Sequence, residues 1–83
     1  MSRHEKTLRA VLSGSADAAV DFEHLLSLLR HLGYAERVRG SHHVFTRSGV
    51  REILNLQPTE PYQVRQVREV LRRYHGDDAA HAE

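Results

Sequence analysis

The sequence predicts a small α+β domain: a three-stranded antiparallel sheet with helices packed on one face, preceded by an additional N-terminal helix. Three observations predict it. Apolar residues keep a helical spacing up to Gly33, change to a period of two between Tyr34 and Leu56, and return to a helical spacing beyond Pro61. The period-two stretch is cut by two short turn signals, Gly40-Ser41 and Ser48-Gly49, which join consecutive strands as hairpins. A chain of 83 residues supplies one domain with a modest core, stable by on the order of a few kcal/mol.

In the first helix, Arg3 to Leu12, Leu8, Val11 and Leu12 share a face, and Ser13-Gly14-Ser15 ends it. Ala16 to Val20 is small and weakly patterned, a connection. The second helix opens at Asp21, an N-cap, with Val20 and Leu25 at the spacing of a hydrophobic staple. Its stripe is Phe22, Leu25, Leu28, Leu29 and Leu32, and Gly33 stops it. Strands follow at Tyr34 to Arg39, His42 to Arg47 and Arg51 to Leu56. Pro58 and Pro61 bracket a loop, with Pro61 before or in the first turn of a last helix that runs from about Tyr62 to Tyr74. Val64, Val67, Val70, Leu71 and Tyr74 face inward there, and Arg65, Arg68, Arg72 and Arg73 are expected to point outward. The order is α-α-β-β-β-α. Residues 1–75 form the domain, residues 3–13 its extra helix, and the polar stretch 76–83 is expected to be disordered.

Composition narrows the functional classes. The absence of cysteine removes disulfides, thiolate catalysis and Cys-based zinc sites. The apolar runs are too short to span a bilayer and no apolar signal segment opens the chain, so a cytoplasmic protein without membrane contact is expected. The net charge of +1 says little about nucleic acid, but eleven of the twelve basic residues are arginine, Lys6 being the exception. Arginine suits phosphate recognition, and a GC-rich genome accounts for the same bias. So small a domain has little room for a deep cavity; its chemistry belongs on an open face and its substrate is larger than a metabolite.

Alternation in the middle strand puts His42, Val44 and Thr46 on one face and His43, Phe45 and Arg47 on the other. Phe45 is the best core candidate, and Leu54 and Leu56 would pair with it. With Phe45 beneath the helices, His42 lies on the open face, beside Val44 and Ile53, and His43 points inward. Adjacent histidines on a strand diverge and do not chelate one ion. His24 and His31 are two helical turns apart. No metal site and no cofactor are therefore expected.

Arg39-Gly40-Ser41-His42-His43-Val44-Phe45, beginning five residues beyond the helix-ending Leu32-Gly33-Tyr34, resembles the HicA family of bacterial toxin–antitoxin toxins over about Phe22 to Tyr74. The resemblance implies a fold similar to a double-stranded-RNA-binding domain and ribosome-independent mRNA cleavage. It also implies one catalytic histidine, here His42, and neutralisation by a HicB-type antitoxin. The chain departs from the pattern in its extra N-terminal helix and in carrying arginine where the family often has lysine.

A ribonuclease of this kind needs a base near the ribose 2′-OH and cations near the phosphate. Neutral imidazole, titrating at about pH 6.5, suits the first task. Arg37, Arg39 or Arg47 would serve the second, with Gly40 and Ser41 contributing to the RNA surface. Gly40 has a backbone reason to stand in a tight turn, and Ser41 either caps that turn or holds the imidazole. Arg65 and Arg68 track phosphates, or belong to a solvated face paired with Glu69. Two other functions fit the same fold: an RNA-binding module without catalysis, and a protein-interaction domain using the open face.

Overall fold

A computed structural model describes residues 2–58 and 63–75 of the protein. Helix α1 (Arg3–Ser13) begins where the Ser2 hydroxyl accepts the Glu5 amide and ends at Gly14, whose φ is +70°. The connection beyond it contains a single 3₁₀ turn, Asp17–Ala19, that the sequence did not announce. Helix α2 (Phe22–His31) starts at Asp21 as expected, its carboxylate accepting the His24 amide at 3.1 Å. Strands β1 (Ala35–Arg39), β2 (His42–Arg47) and β3 (Val50–Leu56) follow, then helix α3 (Gln63–Tyr74). Tyr34 falls outside β1 and Val50 inside β3, differences of one residue at element ends. Pro61 and Tyr62, and the tail 76–83 expected to be disordered, lie outside the described residues.

The sheet is antiparallel in the order β1-β2-β3. Glu36 opposes Phe45, and Phe45 opposes Leu54, so the largest strand side chain sits centrally on one face. An irregularity between Phe45 and Arg47 interrupts the β2–β3 ladder. Phe45, Leu54 and Leu56 meet Leu25, Leu26, Leu28 and Leu29 of α2 and Val64, Val67, Val70 and Leu71 of α3 in one core, to which α1 adds Leu8 and Val11. Helix α1 packs against α2 and α3. The core lies on one side of the sheet, and the other side carries no helix among the described residues. The α+β class and the helices gathered on one face agree with the pattern read from the sequence.

Three of the four α3 arginines singled out from the sequence are bonded to other elements, and one of them, Arg68, is not solvated. The Arg68 guanidinium is largely buried; its Nε donates to the Val11 carbonyl at 2.7 Å and its Nη2 to the Asp17 carboxylate. Arg72 donates to the Leu12 carbonyl at 2.9 Å. These carbonyls belong to the last turn of α1, which has no basic residue of its own. Helix C-terminal carbonyls lack intrahelical donors and carry partial negative charge, so two arginines from another helix satisfy both needs at once. Gly14 makes room for this: a Cβ there would stand 3.1 Å from Arg68 Cζ. Arg73 pairs with Glu52 at 2.6 Å, and the Tyr74 hydroxyl donates to the same carboxylate. Neither Arg68 nor Arg73 uses Glu69, and the outward reading holds for Arg65, Arg72 and Arg73, which are exposed, but not for Arg68.

Arg68→Ala leaves the Val11 carbonyl and the Asp17 carboxylate without this donor. Charge-assisted bonds in a part-buried setting predict a loss of about 2–3 kcal/mol, which in a domain this small lowers the unfolding temperature by on the order of 10 °C. Thermal unfolding followed by circular dichroism checks this; a melting point unchanged from wild type would show that Arg68 does not tie α1 to α3.

Candidate functional site

The β1–β2 hairpin builds the site. Gly40 occupies the first loop position with φ +60°, while Ser41 has no positive φ, the arrangement of a II′ turn that suits the twist of paired strands. The turn sets Arg39 directly across from His42, and two residues further Arg37 across from Val44. Opposed residues in an antiparallel pair project from the same face with their Cβ atoms about 5 Å apart. On the other side of β2, Val44 opposes Asn55, which places Asn55 diagonally from His42. His42 Nδ1 lies 3.0 Å from Asn55 Oδ1.

This face therefore carries Arg37, Arg39, His42, Val44, Thr46, Ile53 and Asn55. No glutamate or aspartate shares their alternation: Glu36 and Glu52 belong to the covered side, where they meet Arg30 and Arg73. Arg37 and Arg39 are exposed and make no hydrogen bond or ion pair among the described residues. Val44 is half-buried, and Ile53 is 66 % exposed. The result is a shallow, cationic surface with one imidazole held in place and apolar contact area beside it.

Of the residues named from the sequence, His42, Arg37, Arg39, Gly40 and Ser41 come together at one end of the sheet. Arg47, Arg65 and Arg68 do not. Arg47 leaves the covered side at the far end of β2, its guanidinium 5.9 Å from the Tyr34 ring centroid and 3.3 Å from Nε2 of the buried His75. Strand alternation alone sends it away from His42. Arg65 and Arg68 are carried by α3 on the covered side, and Arg68 is committed to α1. Ser41 makes no hydrogen bond to the imidazole; Asn55 does. Sequence reasoning missed Asn55, whose signal was a polar residue between Leu54 and Leu56 with the alternation of the open face.

His43, next in the chain, is treated oppositely. Its Nδ1 is 2.7 Å from Glu36, and its ring meets Phe22 edge-on at 5.5 Å. The Arg30 guanidinium grips the same carboxylate with two bonds, 2.7 and 2.9 Å. The hydrogen bond from Arg30, and after it that from His43, holds the Glu36 carboxyl below its ordinary value. The two histidines thus face opposite sides of the sheet, and among the described residues no three His, Cys, Asp or Glu side chains converge on a point suited to a metal ion. No helix among them is long and apolar enough to cross a membrane. The chain matches no protein-family model, no curated protein and no solved structure.

A carboxyl whose folded pKa lies below its unfolded value stabilises the fold above the unfolded value, and that stability is lost as pH falls through the folded one. For Glu36 the loss begins below pH 4.5. Glu36→Gln is therefore less stable than wild type near neutrality, with a shallower decline in acid. Urea unfolding between about pH 6 and about pH 3 measures this; parallel curves for the two proteins would show that the Arg30–Glu36–His43 cluster contributes nothing.

Proposed function

We propose that the protein is an RNA endonuclease that cleaves mRNA without a metal ion, with His42 as its general base. The observation that carries this reading is the open sheet face itself: an oriented imidazole directly across from Arg39, with Arg37 next to it and no carboxylate on the same side of the strands among the described residues. RNA supplies its own nucleophile. His42 takes the proton of a ribose 2′-OH, the resulting alkoxide attacks the adjacent phosphorus, and the 5′-oxygen leaves, taking a proton from water. The products are a 2′,3′-cyclic phosphate and a 5′-hydroxyl. Arg39 and Arg37 donate to the phosphate oxygens as negative charge accumulates there. A flat surface suits a polymer that can be laid across it.

The resemblance of Gly40-Ser41-His42 and its flanking elements to the HicA toxins supports a more specific role. The protein acts in the cytoplasm as the toxin of a type II toxin–antitoxin pair, on a fold similar to a double-stranded-RNA-binding domain, and a HicB-type antitoxin restrains it. Exposed Ile53, further along the same face, favours protein contact there, since a large aliphatic side chain gains from being covered.

Induced expression of wild type arrests growth with loss of intact mRNA, and His42→Ala does neither. With purified protein, His42→Ala slows RNA cleavage by about 10²- to 10⁴-fold, and a single 2′-deoxy nucleotide at the scissile position blocks it. Undiminished cleavage by His42→Ala, or cutting of the deoxy substrate, would refute the mechanism; RNA bound by wild type yet left intact would make the protein a binding module. Arg39→Ala should lower the slope of log K against log salt for single-stranded RNA by about 0.7, whereas Arg65→Ala leaves it unchanged.

A further inference from the structure

His42 has one polar partner among the described residues, and that partner is neither charged nor adjacent in sequence. Asn55 reaches it across the β2–β3 ladder, 3.0 Å from Oδ1 to Nδ1, on a strand whose neighbouring side chains Leu54 and Leu56 are locked in the core. The backbone carrying Asn55 is thus fixed from behind, while its carboxamide lies on the exposed face.

A carboxamide oxygen only accepts hydrogen bonds. Facing Nδ1 of a neutral imidazole, it requires the ring proton to be there, and the lone pair is then on Nε2. An unrestrained neutral imidazole prefers the opposite tautomer, with its proton on Nε2. We infer that Asn55 is the positioning residue of His42: it selects the Nδ1–H tautomer and aims a basic Nε2 out of the open face. The inference rests on the reading of His42 as the base in RNA cleavage, and it assigns that base to one nitrogen. Asparagine does this without adding a negative charge beside an RNA-facing surface, which aspartate at the same position would bring.

The test uses ¹⁵N-labelled protein without RNA. Long-range ¹H–¹⁵N correlations, with the His42 ring assigned by its disappearance in His42→Ala, read the tautomer at a pH where the ring is neutral. Wild type shows the Nδ1–H pattern, and Asn55→Ala shifts toward Nε2–H. Asn55 is exposed, so the variant keeps the wild-type circular dichroism spectrum. In cleavage, Asn55→Ala lowers kcat by about 10- to 100-fold with KM unchanged. Asn55→Asp keeps the tautomer and moves the rise of rate to higher pH, because a carboxylate favours the protonated ring. An Nε2–H pattern in wild type, or an Asn55→Ala variant with unaltered tautomer and kcat, overturns the inference. If the tautomer responds as stated but wild type leaves RNA uncut, the cleavage reading fails while the positioning of His42 by Asn55 stands.

Discussion

Burying the Phe45 ring in a sheet whose side chains alternate leaves the neighbours of Phe45 no freedom of direction. Once that ring lies between the sheet and helices α2 and α3, His43 and Arg47 must leave on the helix side and His42, Val44 and Thr46 on the other. The hairpin register then carries the constraint to β1, where Arg37 and Arg39 join His42, and to β3, where Asn55 does. A one-residue slip of β2 would exchange the two faces and turn His42 to the helix side, where His43 now meets Glu36 and Phe22. Cost and direction thus have one source: the side chain that contributes most to the core also orients the site.

Arginine performs two unlike tasks here, separated by the layer it occupies. On the helical side, Arg68 and Arg72 spend their donors on the carbonyl end of α1, and Arg30 grips Glu36. A guanidinium suits these positions because its planar fork supplies several donors in a fixed geometry without losing its charge. On the open side, Arg37 and Arg39 meet no carboxylate among the described residues. Their charge is uncompensated among these residues, which favours attraction of an anionic partner. A net charge of +1 conceals this division, since the strand carboxylates, Glu36 and Glu52, lie on the other side.

The adjacent histidines show the same division at smaller scale. His43 is bonded to a carboxylate and packed on Phe22, a structural setting. His42 is bonded to a neutral carboxamide and faces outward. Two identical side chains 1 residue apart differ in what they can do because the strand turns them toward different partners.

Much of this was legible in the chain itself. The change from helical to two-residue periodicity, the paired turn signals and the Asp21 and Gly33 boundaries determined the α+β class, the order of elements and the side on which His42 stands, because these depend on contacts between near neighbours. The extra helix was equally legible, but not what secures it: Arg68 lies 57 residues from the carbonyl it meets, and an outward helical arginine looks the same in sequence whether it is solvated or clamped. The partners of His42 were open for the same reason. Strand alternation fixes a face, whereas the choice of Asn55 over Ser41 depends on the β2–β3 register, and the departure of Arg47 toward Tyr34 and His75 depends on where α3 ends. Local period determined the elements and their faces; only the tertiary packing decided which distant groups those faces bring within hydrogen-bond reach.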